Sequence, residues 1–471
     1  DITTGDFLVT EVSSERSLFD EIHKFAPAEI ICNDAFVMSG ISLDDMKNRY
    51  HFTVSTLDAH FFQDENCRRI LREHFKVAGL EGLGLGDYDC GVIASGAVLQ
   101  YLYETQKNTL DHLTTIVSYA SGNFMILDSS TRRNLELLET MREKQKRGSL
   151  LWVLDKTRTA MGARLLRNWI EQPLINREDI LKRQQAIEEL NLNYISREEL
   201  GEYLNPIYDL ERLISRISYK SANPRDLLAF CGSIEMVPYI KTLLKEFTSE
   251  NLKVLEGQLD GLEDLKDLIS RAIVEEPPIT VREGGIIREG FSEEADRLRQ
   301  AKTEGKTWLA ELEAQERENT GIKSLKVKYN RVFGYYFEVT NSFKDLVPDY
   351  FIRKQTLTNA ERYTTDKLKD LESVILGAED KLFSLEYDLF CQVRDAVGAQ
   401  VVRIQQTARA IAEIDVYASL STVATRNNYV KPSINERGTI QIKGGRHPVV
   451  EKMMRDDLFV ANDTCLDNGK N

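Results

Sequence analysis

The sequence is poor in the features that mark secreted, metal-binding and membrane proteins. Its six cysteines are scattered and form no C-x-x-C pair, which favours reduced thiols over disulfides or a zinc site. Its six histidines show no spacing typical of metal ligands. No apolar run approaches the roughly 20 residues that span a bilayer, and no signal peptide is visible. We therefore expect a cytoplasmic protein with no bound metal and no membrane partner.

Positive charge is also in deficit. The net charge is −14 and the pI is near 5.2, which argues against indiscriminate binding of nucleic acid by the whole surface. A phosphate-binding loop of the G-x-x-x-x-G-K-[ST] type is missing as well. Without the lysine and hydroxyl of such a loop, we expect these residues not to hydrolyse ATP.

The positive charge that is present is concentrated in residues 323–369, here called the basic segment. It holds ten Lys/Arg against five Asp/Glu, a local charge of +5. Crowded like charges cost free energy, and such clustering is useful when a polyanion neutralises it. The segment also has strand-like patterning between two long helical patterns. A basic β tip on helical arms predicts a clamp for nucleic acid.

Within the basic segment, polar and apolar residues alternate as they do in a half-buried strand. Residues 325–330 alternate between apolar and cationic or amide side chains, and residues 335–340 continue the period after a turn. Apolar side chains are therefore expected on one face and cations on the other. A solvated strand face also needs charge, so the alternation alone leaves a plain surface strand open. Residues 353–359 add hydroxyl and amide donors, a mixture that contacts phosphate oxygens without reading bases.

Two helical arms flank the basic segment. Ser292 is predicted to cap the first, which runs to about Glu318 over roughly 40 Å, with Gly305 weakening its middle. The second is predicted from about Asp366 to Val397. Its apolar residues recur at spacings of four and three, as in a heptad seam: Leu371, Ile375, Ala378, Leu382, Leu385 and Leu389. Any long amphipathic surface helix has similar spacing, but two arms around one β segment favour an antiparallel pair.

The rest of the chain divides into an α/β part and a helical part. Residues 1 to about 105 alternate short β-branched runs with helical stretches, which predicts an α/β module. Residues 128–280 are predicted to be almost wholly helical. Asn223-Pro224 marks one helix start, and residues 196–199 have the sequence of a capping box at another.

Several segments together resemble one family. Tyr329–Tyr336 followed by Arg353–Tyr363 is similar to the clamp of the MutS family, the bacterial DNA mismatch-recognition proteins. Other segments resemble the core of that family: Thr131–Glu136, Met161–Leu166, Asp209–Leu213 and Asn223–Leu227. Gly445–Glu451 and Phe459–Asn462 resemble the opening of its ATPase domain. The match runs in order over essentially the whole chain.

The resemblance implies a multidomain fold. Its parts would be a ribonuclease H-like α/β connector at 1–126, the first part of a mainly α-helical core with long lever helices at 127–305, a small β clamp inserted between the levers at 306–365, the second part of the core at 366–430, and the truncated start of a β-containing nucleotidase domain at 431–471. The family's mismatch-reading domain and most of its ATPase domain would be missing from the chain.

The resemblance also implies a function. Family members act in the cytoplasm, associated with the nucleoid, as homodimers that clamp duplex DNA and recruit MutL. The complete family member is a DNA-dependent ATPase that uses ATP or ADP and Mg²⁺ to couple nucleotide state to mismatch recognition. This chain is expected to be no enzyme and to hold no cofactor by itself.

The resemblance and the charge pattern together select residues for contacts to the DNA backbone: Lys326, Lys328, Asn330, Arg331, Arg353, Lys354, Gln355, Thr356 and Asn359. Asn359 is the foremost of these, because it is an amide in a loop after a basic cluster. Tyr335 and Tyr336 are interpreted as core residues rather than as platforms on which bases stack.

Three residues near the end of the chain invite a nucleotide or catalytic role. The resemblance implies that, in the complete protein, Phe459 and Val460 contact the nucleotide where the family stacks an aromatic ring on adenine. The core of an apolar strand also explains both. His447 precedes a proline and an apolar stretch, and it is interpreted as a structural hydrogen-bonding residue. No catalytic residue is assigned.

Two functions of other classes stay open from the residues alone. One is a non-enzymatic coiled-coil scaffold whose basic tip binds an acidic protein surface, which the salt dependence of DNA binding would distinguish. The other is a nuclease built on the α/β module around Asp34. A two-metal nuclease needs several convergent carboxylates, and no such set is visible in the sequence.

Overall fold

The computed structural model describes these residues: 1–41, 43, 47, 52–86, 88–106, 110–119, 124–125, 127–278, 280–281, 284–330, 332–454 and 459–467. The chain divides into two compact units. Unit 1 comprises Asp1–Ala222, Ala229–Lys266 and Val397–Asn471, and unit 2 comprises Asn223–Leu228 and Asp267–Ala396.

Unit 1 begins with the predicted α/β region. In chain order its elements are β1 (Leu8–Val9), α1 (Glu15–Phe25), β2 (Glu29–Cys32), α2 (Asp34–Met38), β3 (Thr53–Thr56), α3 (Asp64–Phe75), α4 (Cys90–Gln106) and β4 (Val117–Ser118). Strand β1 pairs with β4 and β2 pairs with β3, both in parallel. Parallel pairing needs long crossover connections, which α1 and α2 help to supply here. The predicted alternation of strands and helices is confirmed.

The residues that follow are almost wholly helical, as predicted. The helices are α5 (Ser129–Asn134), α6 (Leu150–Leu154), α7 (Ala160–Glu171), α8 (Arg177–Leu192), α9 (Tyr194–Leu204), α10 (Leu210–Ser218), α11 (Pro224–Ile234), α12 (Val237–Leu244), α13 (Glu250–Gln258) and α14 (Glu263–Ala272). Helix α11 begins at the predicted Asn223-Pro224 start. The capping box predicted at 196–199 is wrong: α9 begins earlier, at Tyr194. Ser196 instead donates a hydrogen bond of 3.1 Å to Glu246.

One stretch qualifies the expectation about membrane segments. By length and composition alone, Pro224–Leu244 is long and apolar enough to cross a membrane. It consists of α11 and α12 with a break between them, and 44% of its most apolar window is buried. Buried helices of protein cores can have the same length and composition, so this single stretch is weak evidence for a membrane segment.

Unit 2 holds both arms and the basic segment. Its elements are α15 (Glu293–Thr320), β5 (Lys326–Asn330), β6 (Gly334–Thr340), a 3-10 helix (Asn341–Leu346), β7 (Ile352–Thr356), β8 (Ala360–Thr364) and α16 (Asp366–Gly398). The strands form an antiparallel sheet in the order β5-β6-β8-β7. Ser292 caps α15 as predicted, since its hydroxyl accepts a hydrogen bond from Ala295 N.

The arms α15 and α16 form the predicted antiparallel pair. Near the start of α15, Arg299 Nη2 lies 2.8 Å from Glu386 Oε1. One turn later, Lys302 Nζ lies 2.6 Å from Glu379 Oε1. Residue numbers therefore rise along one arm while those of their partners fall along the other.

The middle of the predicted heptad is buried, whereas Leu371, Leu385 and Leu389 are only half-buried. Ile375, Ala378 and Leu382 are each less than a tenth exposed. Gly305 has a specific role in this seam, because a Cβ added to it would lie 2.5 Å from Ile375 Cγ1. The glycine predicted to weaken α15 is therefore what lets the two backbones approach closely.

The chain ends, as far as it is described, with one long helix and a small antiparallel sheet. These elements are α17 (Val401–Arg426), β9 (Thr439–Gly445), α18 (Pro448–Met453) and β10 (Asn462–Asp467), with β9 paired to β10. Helix α17 is largely buried, and its Asp415 accepts hydrogen bonds from the backbone N–H groups of Arg158 and Thr159 at the start of α7. This carboxylate satisfies N–H groups that a helix start otherwise leaves unpaired.

Candidate nucleic-acid interface

The strand register divides the four-stranded sheet into two faces, because directly opposed residues of paired strands project to the same side. One row across the sheet joins Val327, Phe337 and Tyr363. These side chains belong to the apolar cluster beneath the sheet, whose buried members are Leu309, Leu312, Ile322, Leu325, Phe337, Val339, Phe351, Tyr363, Leu368 and Ile375. This side is here called the core face. The predicted placement of apolar residues on one face is confirmed.

The sheet is fixed to the arms by polar contacts as well. Glu313 of α15 accepts a hydrogen bond of 2.8 Å from Val327 N, and Arg317 donates one of 3.0 Å to Leu325 O. At the other arm, Gly334 has φ of 71°, and a Cβ there would lie 1.7 Å from Glu372 Oε1. The turn into β6 therefore favours glycine for its left-handed backbone, and a side chain there would also displace the Glu372 carboxylate.

The opposite side of the sheet, the outer face, is a row of polar side chains. In register order the row is Lys326, Glu338, Arg362 and Gln355. Arg362 donates a hydrogen bond of 2.7 Å to Gln355 Oε1, and its guanidinium lies 4.4 Å from the centre of the Tyr336 ring. Tyr336 pairs with Lys328 and therefore lies on this face, but it is only 4% exposed, which agrees with its interpretation as a buried residue rather than a base platform.

Three of the candidate residues are occupied by contacts within the sheet. Lys328 Nζ lies 2.7 Å from Glu338 Oε1, and this hydrogen bond raises the pKa of Lys328. Asn330 Oδ1 accepts hydrogen bonds from the backbone of residues 332 and 333, which shapes the turn between β5 and β6. Lys354 Nζ donates a hydrogen bond of 2.8 Å to Phe333 O in the same turn. Arg331, predicted at this turn, lies outside the described residues.

A β-bulge redirects strand β7. The register with β8 shifts between Arg353 and Gln355, so Lys354 is the extra residue. Arg353 pairs with Tyr363 and Thr356 pairs with Glu361, which places both on the core-face side of the sheet. Gln355 falls on the outer face. Simple alternation of side chains therefore fails in β7, and the predicted contacts divide between the two faces.

A buried carboxylate gathers two cations at the β7–β8 side of the sheet. Glu361 is 2% exposed, and its Oε1 lies 2.7 Å from Lys344 Nζ and 3.8 Å from Arg353 Nη1. The hydroxyl of Tyr363 donates a hydrogen bond to the other oxygen. The hydrogen bonds from Lys344 and Tyr363 lower the pKa of Glu361, and burial with this hydrogen bond raises the pKa of Tyr363 to about 12. These four residues are here called the Glu361 cluster.

The loop from β7 to β8 is held by its backbone and presents its side chains to solvent. Leu357 N donates to Ala360 O at 2.8 Å, and Asn341 donates to the carbonyls of Thr358 and Asn359. The side chain of Asn359 is exposed. The loop is therefore ordered by main-chain contacts that leave the amide of Asn359 available.

The candidate residues thus fall into two groups. Lys328, Asn330, Lys354 and Gln355 have hydrogen-bond partners within the sheet. Lys326, Arg353, Thr356 and Asn359 are exposed, and across the described ranges no side-chain hydrogen bond of theirs is found. In the exposed group, all side-chain donors are left for a ligand, whereas the first group has part of its hydrogen-bonding capacity in use within the sheet.

Sequence reasoning missed Lys344, Glu361 and Arg362 as parts of the site. Lys344 lies in the 3-10 helix, outside any alternating pattern, and Glu361 counted only as a negative charge. Lys344 and Glu361 lie near Arg353 because of the cross-strand register and the bulge. No local pattern in the sequence indicates the register or the bulge.

The residues selected near the end of the chain differ in their contacts and exposure. His447 caps α18, since its Nδ1 accepts a hydrogen bond of 3.3 Å from Val450 N, which confirms its structural interpretation. Phe459 is half-buried and Val460 is 77% exposed, just before β10. Their contact with a nucleotide stays a prediction.

Asp34 is the first residue of α2, and in the part of the chain that is described no group of three or more His, Cys, Asp or Glu could hold a metal ion.

Comparison with known proteins gives matches along most of the chain. The family model "MutS domain II" matches residues 1–114, and "MutS domain III" matches residues 130–421. The chain is 61% identical over 470 residues to the DNA mismatch repair protein MutS of Lachnoclostridium phytofermentans, covering 100% of this chain and 50% of that protein. It is 51% identical to the protein of the same name from Ruminiclostridium cellulolyticum, covering 99% of this chain and 54% of that protein. The chain spans about half the length of the curated relatives it matches.

Proposed function

We propose, because the chain belongs to the MutS family of DNA mismatch repair proteins, that its four-stranded sheet clamps duplex DNA through contacts to the backbone. The observation that carries this proposal is the set of exposed donors on a sheet supported by both arms: Arg353 and Thr356 on strand β7, Asn359 in the loop between β7 and β8, and Lys326 at the β5 edge. Cations, hydroxyls and amides of this kind bond phosphate oxygens, which are the same at every base pair. Binding should therefore be independent of sequence.

The proposal includes the architecture implied by the family. Residues 1–126 would be a ribonuclease H-like connector, 127–305 and 366–430 the two parts of the core with its levers, 306–365 the clamp, and 431–471 the start of the ATPase domain. The parallel strand pairs of the α/β region and the sheet between two long arms support this division. The complete protein would act in the cytoplasm as a homodimer and recruit MutL.

Nucleotide binding is proposed for the complete protein only. The complete protein would bind ATP or ADP with Mg²⁺, and the nucleotide bound would set its state. Of the described residues, Phe459 and Val460 are suited to the adenine ring by their apolar character, and both lie beside an exposed strand. The sequence holds no phosphate-binding loop, so no step of ATP hydrolysis is assigned to these residues.

The test is a titration of fluorescently labelled duplex DNA with this chain, followed by anisotropy over a range of salt concentrations. Neutralisation of phosphates predicts that log K falls linearly with log salt, with a slope of about −0.9 for each phosphate contacted. Two duplexes of unrelated sequence should give the same affinity, and a central mismatch should change little. A lack of binding at low salt would overturn the proposal for this chain, and binding that ignores salt would favour the scaffold hypothesis.

A further inference from the structure

The Glu361 cluster has an unusual ratio of charges for a buried carboxylate. One acid that is 2% exposed faces two cations, Lys344 and Arg353, whose side chains are 52% and 61% exposed. The lowered pKa of Glu361 keeps it ionised at neutral pH. The cluster therefore carries one net positive charge at the surface of the sheet, with its negative charge held on the inside.

Both cations keep donors that Glu361 does not use. An ammonium group has three N–H donors, and Lys344 needs one of them for its contact of 2.7 Å with Glu361. Arg353 Nη1 lies 3.8 Å from the same oxygen, which is too long for a hydrogen bond, so its guanidinium donors stay available. An anion can bind both cations without displacing either from the carboxylate.

Further donors lie on the same side of the sheet. Thr356 pairs with Glu361 in the register of β7 and β8, so its exposed hydroxyl is directed to the side that holds Arg353. The 3-10 helix that carries Lys344 is tied to the β7–β8 loop through Asn341, which donates to the carbonyl of Thr358 at 3.0 Å.

From this geometry we infer that Lys344 and Arg353 together bind a backbone phosphate of duplex DNA, with Glu361 as the residue that positions them. The inference rests on the proposed function and names the part of the sheet that meets the DNA. Lys344 is thereby a further contact residue. Glu361 reduces the repulsion between the two cations and fixes Lys344, while Tyr363 and burial fix the carboxylate.

The first experiment removes the new contact. Lys344→Ala should lower DNA affinity about five- to tenfold at 0.1 M salt and reduce the steepness of the salt dependence by about 0.9, the value of one phosphate contact. Lys344→Arg should restore most of the affinity, because the charge and the donors return. Lys182→Ala removes the same charge from a half-buried residue of α8, which pairs with Glu250, and should leave affinity within about twofold.

The second experiment separates positioning from net charge. Glu361→Gln and Glu338→Gln each remove one negative charge from the sheet. If charge alone mattered, both would tighten DNA binding. The inference predicts that Glu338→Gln tightens it by freeing Lys328, whereas Glu361→Gln gives no gain or a loss because Lys344 and Arg353 are no longer held. Near-ultraviolet circular dichroism of both variants reports whether the aromatic packing of the sheet is kept.

The outcomes distinguish this inference from the proposed function. The unmodified chain could bind DNA in a salt-sensitive manner while Lys344→Ala has the same affinity and salt slope as Lys182→Ala. That result would overturn the inference but not the proposal that the sheet clamps DNA. A loss in Lys344→Ala that Lys344→Arg does not rescue would also overturn it, because the residue would then act through structure alone. Absence of DNA binding by the unmodified chain would overturn both.

Discussion

The helical core and the four-stranded sheet use charged residues in opposite ratios. In the core, Arg164 lies between two carboxylates, 2.6 Å from Asp209 and 2.5 Å from Glu211. In the sheet, one carboxylate, Glu361, lies between Lys344 and Arg353. In the core, the single cation is fully neutralised by two carboxylates. In the sheet, one carboxylate neutralises only one of two cations, so one positive charge remains. The ratio of charges at a site, more than the presence of lysine or arginine, indicates whether it holds the fold together or can receive an anion.

A second arginine repeats the core pattern. Arg403 of α17 lies 2.7 Å from Asp260 and 2.9 Å from Asp264. The hydrogen bonds from Arg403 lower the pKa of both aspartates, so they stay ionised. The chain can therefore be strongly acidic in total and still present a basic surface, because its core arginines are matched by an excess of acids.

The largest expected effect tests the core half of this comparison. Arg164→Ala leaves Asp209 and Glu211 facing each other without their shared cation, and both side chains are 17% exposed. Removing one partner of a largely buried ion pair costs about 3 kcal/mol, so the urea midpoint of the helical transition should fall clearly. The salt slope of DNA binding should be unchanged.

A neighbouring arginine gives the matched control. Arg212 lies 3.5 Å from Asp209, but its side chain is 62% exposed. An exposed pair contributes about 0.5 kcal/mol, so Arg212→Ala should scarcely move the urea midpoint. If the two variants lowered the urea midpoint equally, the contact of Arg164 with two largely buried carboxylates would not explain the stability it provides.

A smaller effect tests the arms that hold the sheet in place. Gly305→Ala puts a methyl group 2.5 Å from Ile375 Cγ1, and overpacking of this kind costs about 1–2 kcal/mol even after the gain in helix propensity. Gly377→Ala in α16 meets no atom of the described residues within 4 Å and should instead stabilise by about 0.5–1 kcal/mol. Thermal melting followed at 222 nm compares the two, and stabilisation by both would contradict the close approach of the arms.

The smallest expected effect is the pH dependence of the stability of unit 1. Burial lowers the pKa of His74 and of His112, and both are bonded to backbone carbonyls. Their unfolded pKa is about 6.5, so the stability they contribute is full above that pH and is lost as the pH falls towards their folded values. The urea midpoint of unit 1, which contains both histidines, should therefore fall as the pH is lowered from 7.5 to 5.5. His74→Gln and His112→Gln should each make this pH dependence shallower, and an unchanged dependence in both variants would contradict the account.

Much of unit 2 could be predicted from the sequence because its signals are local. The caps and the heptad spacing placed the arms within about two residues of their observed ends, Glu293–Thr320 and Asp366–Gly398. Alternation identified the core face of β5 and β6, since side-chain direction in a strand has a fixed period of two. The α/β character of the first part of unit 1 was equally visible in its short apolar runs.

Other features depend on contacts between residues far apart in sequence. The bulge at Lys354 depends on pairing with β8, and it moved Gln355 and Thr356 to faces that alternation does not predict. The capping-box pattern at 196–199 predicted a helix start there, but α9 begins earlier, at Tyr194. A local motif is only one of several possible helix starts. The Glu361 cluster joins residues from three elements and has no local signature.

The central claim is that the exposed donors of the sheet bind DNA, and the most direct measurement is the salt dependence of duplex binding by charge-matched variants. One variant carries Lys326→Ala, Arg353→Ala and Asn359→Ala in the sheet. The loss of two cations predicts a salt slope shallower by about 1.8, together with a large fall in affinity at 0.1 M salt.

The matched variant carries Lys182→Ala, Lys266→Ala and Asn205→Ala, which remove the same charges and one amide from the helical core. Lys182 and Lys266 pair with surface carboxylates, so their loss should leave both the slope and the affinity close to those of the unmodified chain. A sheet variant that binds as the core variant does would contradict the account, because the DNA site would then lie elsewhere.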